Sequence, residues 1–225
     1  LPHAANVDFM VKWTVVNRSD NPGIYPDDMF LCNDCWIGAL HPQDVALLSP
    51  VFVGDELIAW TGSTIHQVDL GGINIGSWCV DAEEHFAEGM TYPPIKIVEG
   101  GMIRKDIEEV YLRRSRAPAL VGLDLRAHIA SNNVAKQRLL ELVDRYGAKT
   151  VTSVMKKQMD YAEERIRERL LTIPDGTWRC ETYQEVCKTN DRGVYKTVLS
   201  LSKKGDKLIF DFSDSDPNAG MINCT

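Results

Sequence analysis

Two histidine–carboxylate doublets in the first third of the chain have the residue types of a metal site. His41 is followed by Asp44 and His66 by Asp69, so each histidine has a carboxylate three residues later. Imidazole nitrogen and carboxylate oxygen are ligands that hold Zn, Mn or Fe in proteins. Two such doublets facing each other would therefore form a metal pocket.

The spacing alone also fits ordinary structural roles for these side chains. The chain has 5 His and 32 Asp or Glu among 225 residues, so a carboxylate follows a given histidine at this spacing about one time in seven by chance. His85 and Glu88 repeat it. Local context favours the metal site, because Pro42 disfavours a helical His41 and the glycine pair at 71–72 permits a close backbone approach.

The elements around the doublets predict how they meet. Residues 45–53 and 56–65 are apolar runs joined at Gly54 and Asp55, which predicts an antiparallel hairpin. The arm from Asp44 to Gly54 has ten residues and the arm from Asp55 to His66 has eleven. Because a hairpin returns the chain to its starting end, we expect Asp44 and His66 to lie side by side.

A short apolar strand at residues 28–33 precedes the hairpin and ends at Asn33 and Asp34. Rigid elements that end in loops commonly aim functional side chains. The passage from 71 to 99 is irregular and rich in Gly and Pro, which is typical of a functional loop or of a surface excursion.

The remaining pattern predicts an α+β fold, in which antiparallel hairpins carry the metal site and a central helical portion precedes further antiparallel strands. Three portions are expected, at residues 1–103, 104–174 and 175–225. The predicted strands are 7–16, 28–33, 45–53, 56–65, 95–98, 178–187, 195–203 and 207–212, and the predicted helices are 105–116, 119–145 and 149–171. Within the second helix, His128 is expected to be a surface or packing residue.

Composition argues against several classes of function. The net charge is −7 and no basic stripe with interleaved aromatic residues is present, which argues against nucleic-acid binding. The short basic run at 113–116 is expected to be a solvated helical face. The sequence contains no membrane span and no export signal, so we predict a cytoplasmic protein without membrane contact.

Six cysteines are scattered along the chain, and only Cys32 and Cys35 form a CxxC pair. We expect reduced thiols, with Cys32 packed inside a strand, and a redox dithiol is the alternative. The chain begins at Leu1 without Met and stops at Thr225 just after a strand-like passage. We therefore expect it to be part of a larger polypeptide.

Several motifs follow one another along the chain: Asn33-Asp34, Gly38-x-x-His41-x-x-Asp44, His66-x-x-Asp69-x-Gly71-Gly72, Pro93-Pro94-x-Lys96-x-x-Glu99-Gly100-Gly101 and Asp211-Phe212-Ser213. Together they resemble the motifs of the hydantoinase B family. That family includes subunits of N-methylhydantoinase, 5-oxoprolinase, caprolactamase, acetone carboxylase and acetophenone carboxylase. The resemblance covers nearly the whole chain, and the Trp36-Ile37-Gly38 and His66-Gln67-x-Asp69 segments look more like the ketone carboxylase branch.

The resemblance implies a divalent metal site for Zn or Mn with His41, Asp44 and His66 as ligands. A further carboxylate ligand would come from sequence upstream of this chain. Asp69 is expected to orient His66 or to act as a catalytic base. Positioning roles are expected for Asn33, Asp34 and Gln67, while Cys35 stands where the family usually has proline.

The implied function is part of the metal-binding catalytic subunit of an ATP-dependent, biotin-independent ketone carboxylase that acts through an enolate. ATP and bicarbonate would be handled with a hydantoinase A-type partner subunit in a heteromeric complex, since the sequence carries no phosphate-binding loop. The alternatives are an ATP-dependent cyclic-amide hydrolase and a non-catalytic assembly fragment.

Overall fold

The computed structural model describes residues 2–185 and 190–217, and of residues 2–5 it describes the main chain. It confirms a mixed fold of antiparallel sheets with a helical middle. The helices are α1 Pro2–Arg18, α2 Lys105–Arg113, α3 Pro118–Tyr146 and α4 Ala148–Leu171, with short turns at Ser19–Gly23 and His85–Ala87. The strands are β1 Met29–Cys32, β2 Asp44–Val53, β3 Glu56–His66, β4 Ile95–Glu99, β5 Met102–Ile103, β6 Gly176–Glu185, β7 Val194–Lys204 and β8 Lys207–Asp211.

The contacts of the chain group it into two compact units. One comprises Leu1–Cys79 and His85–Thr152, and the other comprises Val80–Glu84 and Ser153–Thr225. The division into three portions at 103 and 174 stays a prediction. The metal-site residues predicted from the sequence all lie in the first unit.

The first unit is built on a five-stranded antiparallel sheet with the strand order β3-β2-β1-β4-β5. The predicted hairpin is confirmed as β2 and β3, which pair from Val53↔Glu56 at the turn to Asp44↔His66 at the open end. Gly54 has a φ of +60° at the turn, a conformation that glycine adopts without strain. The matched arms therefore bring Asp44 and His66 opposite each other.

Both faces of this sheet are covered, and the side chains of each strand alternate between them. Leu31, Val45 and Leu47 belong to one apolar cluster, together with Tyr111 of α2 and Leu125 of α3. On the other face, buried residues pack against Met10 of α1; these are Phe30, Cys32, Ala46 and Leu48. The site residues thus lie at the end of a sheet that helices fix from both sides.

The predicted strand at 7–16 is wrong, because this segment forms helix α1. Phe9, Val11 and Val15 suggested strand alternation, but Phe9 and Val15 are exposed. The buried positions are Met10 and Thr14, four residues apart, as on one face of a helix. Apolar residues occupy both odd and even positions of this segment, so its pattern fits the two-residue period of a strand as well as the 3.6-residue period of a helix. Packing of one side against the sheet favours the helix.

The remaining predicted elements agree with the structure where it describes them. The three central helices form with ends within a few residues of those predicted. His128 is buried in α3, so it is a packing residue rather than a surface one. In the second unit β6, β7 and β8 form an antiparallel sheet in that order. The end of the predicted strand at Cys187 lies outside the described residues.

Candidate metal centre

Asp44 lies between two imidazoles at the open end of the β2–β3 hairpin. Its Oδ1 is 3.1 Å from Nδ1 of His66, and its Oδ2 is 3.4 Å from Nε2 of His41. The side chain of Asp44 is only 3% exposed, against 33% for His41 and 43% for His66. The carboxylate is therefore held by the protein, while both rings are reachable from solvent.

A tight turn before β2 places His41 beside this pair. The backbone N–H of Asp44 donates to the carbonyl oxygen of His41 at 3.0 Å. The turn agrees with the conformation expected from Pro42, and it brings the His41 ring edge-on to the His66 ring with centroids 4.7 Å apart. The exposed Trp78 has its ring centroid 6.1 Å from that of His41, a neighbour that spacing in the sequence did not indicate.

The donor set of this cluster fits a divalent metal ion. One potential ligand atom from each of His41, Asp44 and His66 lies within 4.8 Å of the other two. Two imidazole nitrogens and one carboxylate oxygen suit Zn or Mn, and a fourth ligand position would remain open to a further group. Within the described residues, the structure thus brings together all three residues predicted to hold a metal.

Asn33 ties three segments of the first unit together. Its Nδ2 donates to the carbonyl oxygens of Pro42 at 2.7 Å and Met90 at 3.1 Å, and its Oδ1 accepts from the backbone N–H of Tyr92 at 2.6 Å. The side chain is fully buried. Asn33 therefore fixes the turn that carries His41.

Asp34 organises the loop that follows β1. Its Oδ1 accepts from the backbone N–H of Trp36 at 2.9 Å. Its own carbonyl oxygen accepts from the N–H groups of Ile37, Gly38 and Ala39 at 3.0 to 3.1 Å. Gly38 has a φ of +146° and would bring an added Cβ within 2.9 Å of the carbonyl oxygen of Asn6 in α1, so it permits the close approach of helix and loop.

Gln67 follows β3 and is fully buried. Its backbone N–H donates to the carbonyl oxygen of Gln43 at 2.8 Å, which extends the hairpin pairing beyond His66. Neither amide atom of its side chain has a hydrogen-bond partner among the described residues. Gln67 directly follows His66 at the end of β3, and its hydrogen bond to Gln43 is made by the main chain.

Asp69 is bound to Arg116 and to the loop that follows it. Oδ1 accepts from the backbone N–H groups of Gly71 at 3.0 Å and Arg116 at 2.9 Å. Oδ2 accepts from the N–H of Gly76 and from the guanidinium of Arg116, both at 3.0 Å. Among the described residues, no hydrogen bond joins Asp69 to His66.

The charge state of Asp69 follows from these contacts. Burial acts to raise the pKa of Asp69, but the hydrogen bonds donated by the backbone of Arg116, Gly76 and Gly71 and by the Arg116 guanidinium outweigh it. The net pKa lies below the ordinary value of this carboxyl. Asp69 is therefore ionised at neutral pH and has both oxygens occupied.

The expectation that the basic run at 113–116 is a solvated helical face is wrong for Arg116. Helix α2 ends at Arg113, and Arg116 also donates to the carbonyl oxygen of Asn74 at 3.0 Å and to that of Gly72. Its partners lie more than 40 positions away in the chain. The charge pattern of neighbouring residues therefore could not indicate that Arg116 binds this distant loop.

Cys32 is the last residue of β1, and Cys35 lies in the loop that follows it. Cys32 is buried in the strand, as expected, and both Cys32 and Cys35 are free thiols. Burial raises the pKa of Cys32 to about 12 and that of Cys35 to about 11. Both thiols are thus protonated at neutral pH and are poor nucleophiles.

Comparison with known proteins identifies the family. The family description hydantoinase B/oxoprolinase matches residues 2–225. The chain belongs to this family. The expected resemblance is therefore confirmed over nearly the whole sequence.

A curated relative lies in the ketone carboxylase branch. The acetophenone carboxylase delta subunit of Aromatoleum aromaticum is 31% identical over 216 residues, which cover 96% of this chain and 31% of the relative. The chain thus spans about a third of that protein. The relative is named as one subunit of a carboxylase made of several.

Two solved structures share the fold of this hydantoinase B chain. The nucleotide-free structure of acetone carboxylase superposes with a TM-score of 0.90 at 22% identity, covering 98% of this chain and 31% of that one. The ATP-dependent caprolactamase of Pseudomonas jessenii gives a TM-score of 0.83 at 26% identity, covering 98% of this chain and 37% of that one. At 22% identity the first likeness shows the fold alone.

Among the described residues, none of the helices combines the length and the apolar character of a membrane-spanning segment.

Proposed function

We propose that this chain is the metal-holding part of the catalytic subunit of an ATP-dependent, biotin-independent ketone carboxylase. The observation that carries the proposal is the convergence of His41, Asp44 and His66, with ligand atoms within 4.8 Å of one another. The similarity to the acetophenone carboxylase delta subunit supports the ketone branch. The substrate would be a small ketone such as acetophenone or acetone.

The three side chains are suited to hold a Zn or Mn ion. Asp44 is nearly buried and contacts both imidazoles, so it orients the rings as well as offering an oxygen. A divalent ion bound there would supply a Lewis acid that polarises a carbonyl oxygen and favours the enolate. Both rings are partly exposed, so a ketone can reach the ligand atoms from solvent.

The surrounding residues keep the cluster in place. Asn33 binds the turn of His41 through the Pro42 carbonyl. The Arg116 hydrogen bonds occupy both oxygens of Asp69, which supports a role in positioning the loop after His66. The role of Asp69 as a base stays a prediction, and so do the positioning roles of Asp34 and Gln67.

ATP chemistry is assigned in this proposal to a partner. Acetone carboxylation and the caprolactamase are named as ATP-dependent, and the acetophenone carboxylase relative is named as one subunit. This sequence contains no phosphate-binding loop. A hydantoinase A-type subunit would activate bicarbonate or the enol with ATP, in the cytoplasm where ATP is supplied. The carboxylated product would form where that subunit meets the cluster.

A second function is supported by the caprolactamase likeness. That structure shares the fold at 26% identity and belongs to an ATP-dependent enzyme that acts on a cyclic amide. The same cluster would then polarise a ring amide for opening by water.

The decisive experiment compares metal content and reaction in the purified assembled complex. Elemental analysis is performed on the wild type, His41→Ala and His66→Ala, with His85→Ala as a control for metal content alone, because His85 lies outside the cluster. ATP-dependent fixation of labelled bicarbonate is measured with acetophenone and acetone. We expect His41→Ala and His66→Ala to lose about one metal equivalent and all fixation, as removal of a ligand predicts.

Each other result has a definite meaning. A metal content equal to that of the wild type in both His41→Ala and His66→Ala would refute the metal site. The chain would then be assigned as a non-catalytic assembly fragment. Metal loss without any fixation by the wild type would move the assignment to cyclic-amide hydrolysis, which is then tested with a lactam and a hydantoin.

A further inference from the structure

A cavity of about 510 Å³ opens in the first unit beside the loop that follows His66. Its walls come from three segments, at 70–73, 85–91 and 114. Leu70, Ile73, Phe86 and Met90 give it an apolar lining, and Arg114 is the arginine among its lining residues. Its volume lies within the usual range of about 300–1,000 Å³ for small-molecule sites.

Glycines hold the three walls in direct backbone contact. An added Cβ at Gly72, where φ is +87°, would lie 2.6 Å from the carbonyl oxygen of Glu88. At Gly71, where φ is +92°, it would lie 2.9 Å from the carbonyl oxygen of Arg114. The N–H of Ile73 donates to the carbonyl oxygen of Ala87 at 3.0 Å. The cavity is therefore a consequence of packed main chain rather than of a loose surface fold.

Arg114 and the neighbouring Arg116 differ in their charged partners. Arg116 binds Asp69, whereas no carboxylate of the described residues pairs with the exposed Arg114 side chain. Burial raises the pKa of Tyr92, and the positive charge of Arg114 acts in the opposite direction. Tyr92 directly follows Thr91, which lines the cavity.

The cavity is connected to the metal centre through both of its long walls. Leu70 follows His66 by four residues, so their Cα atoms lie within about 14 Å by the reach of an extended chain. On the other wall, Met90 accepts from the Asn33 amide, which also donates to Pro42 beside His41. A molecule in the cavity would therefore lie near the cluster.

We infer that this cavity binds a small organic anion, with its apolar body against Leu70, Ile73 and Phe86 and its carboxylate or phosphate group at Arg114. A guanidinium presents paired N–H donors that match the oxygens of either group. The apolar lining selects molecules with a hydrocarbon part over inorganic ions. The inference concerns a binding site and holds for either reaction considered above.

Calorimetric titration of the complete protein in its assembled complex tests this site. The probes are benzoate and phenyl phosphate, with benzamide as the uncharged analogue of benzoate. Arg114→Gln is compared with Arg113→Gln, which removes a neighbouring exposed arginine outside the cavity. Titrations are performed after the complex is dialysed against a chelator, so that coordination of a probe to a metal ion contributes nothing.

We expect Arg113→Gln to bind each anion with the same affinity as the wild type does. Both proteins should bind benzamide at least about tenfold more weakly than benzoate. Arg114→Gln should lose about tenfold or more in affinity, because the charge-assisted hydrogen bonds are gone. Phe86→Ala should weaken binding of both aromatic anions. Tighter binding of benzoate would indicate a carboxylate ligand, and tighter binding of phenyl phosphate a phosphate ester.

Two results would overturn the inference. One is the absence of binding of both anions to the wild type. The other is equal binding by the wild type and Arg114→Gln, provided that both melt at the same temperature. Neither result bears on the metal centre, because metal content is measured separately and Arg114 is outside the His41, Asp44 and His66 cluster.

Discussion

Asp69 and Arg116, which are 47 positions apart, bind each other through both main chain and side chain. The pair closes the loop after His66 against the segment that follows α2. Because Asp69 is nearly buried and both of its oxygens accept hydrogen bonds, removing the guanidinium leaves a desolvated charge with fewer donors.

The first prediction concerns the stability that this pair contributes. Arg116→Ala is expected to lower the free energy of unfolding by about 2 kcal/mol, the usual cost of removing donors from a buried charged acceptor. Arg113→Ala, in which an exposed arginine at the end of α2 is removed, should change it by less than about 0.5 kcal/mol. Urea unfolding at pH 7 measures both, and equal midpoints would show that the pair is dispensable.

The second prediction is an acid dependence that Asp69 imposes. Its folded pKa is below the unfolded value of 3.8, so the unfolded state takes up a proton first as the pH falls. The contribution of the ionised carboxylate is therefore complete well above pH 4 and is lost as the pH drops through the folded pKa. The stability gap between the wild type and Asp69→Asn should shrink on acidification below about pH 4. A gap that stays constant down to pH 2 would contradict this assignment.

The third prediction concerns the buried ion pair of Lys96 and Asp28. Their Nζ–Oδ2 distance is 2.8 Å and both side chains are almost inaccessible, although the approach is poorly aligned for a hydrogen bond. Lys96→Met should cost about 3 kcal/mol, because it leaves the Asp28 carboxylate buried without a counter-charge. Lys105→Met, at an exposed position, is the matched control. Adding Asp28→Asn to Lys96→Met should recover part of the loss in thermal unfolding, and a further loss would argue against this explanation.

The hairpin is the part of the site that the sequence determines most directly. The arms from Asp44 to Gly54 and from Asp55 to His66 are nearly equal in length, and strand pairing with a turn at Gly54 leaves little freedom of register. The residue pair Asp44↔His66 follows from local pattern alone. His41 also follows, since Pro42 favours a turn over a helix.

Other features depend on contacts that no local pattern contains. In α1, apolar residues occupy both parities, and only packing of Met10 and Thr14 against the sheet decides the helix. The link between Arg116 and Asp69 spans 47 positions. Lysine is almost never fully buried, so the sequence gives no reason to expect Lys96 inside the protein. Tertiary contacts determine all three.

The fourth prediction concerns the buried imidazole of His128. Nδ1 of His128 is hydrogen-bonded to the Ser63 hydroxyl at 2.7 Å, and Asn132 donates to the same hydroxyl oxygen at 2.9 Å. Among the described residues, Nε2 of this ring has no hydrogen-bond partner. Burial lowers the pKa of His128 to about 4 from 6.5. As the pH falls from 6.5 towards 4, this histidine becomes protonated in the unfolded chain but stays neutral in the folded chain.

Stability should therefore be complete above about pH 6.5 and decline towards pH 4, by up to about 3 kcal/mol from this residue. His128→Gln should flatten this part of the stability profile, whereas His85→Gln, at a partly exposed site, should leave it as in the wild type. Urea midpoints at half-unit pH steps provide the comparison. Parallel profiles for the wild type and His128→Gln would mean that the ring is solvated in the folded state.

The last prediction joins Asn33 to metal retention. Its amide donates to the carbonyl oxygens of Pro42 and Met90, so it holds the turn that presents His41 without being a ligand itself. Asn33→Ala should weaken metal binding about tenfold or more, in the range found for residues that orient metal ligands. Asn33→Asp should be at least as damaging, because a carboxylate cannot donate to either carbonyl and repels both. Asn17→Ala, at an exposed helix position, should bind metal as the wild type does.

Metal affinity is measured by competition with a chromogenic chelator on the assembled complex, at a temperature where all variants are folded. Wild-type affinity in Asn33→Ala would show that His41 is positioned by its own turn and Asp44 alone.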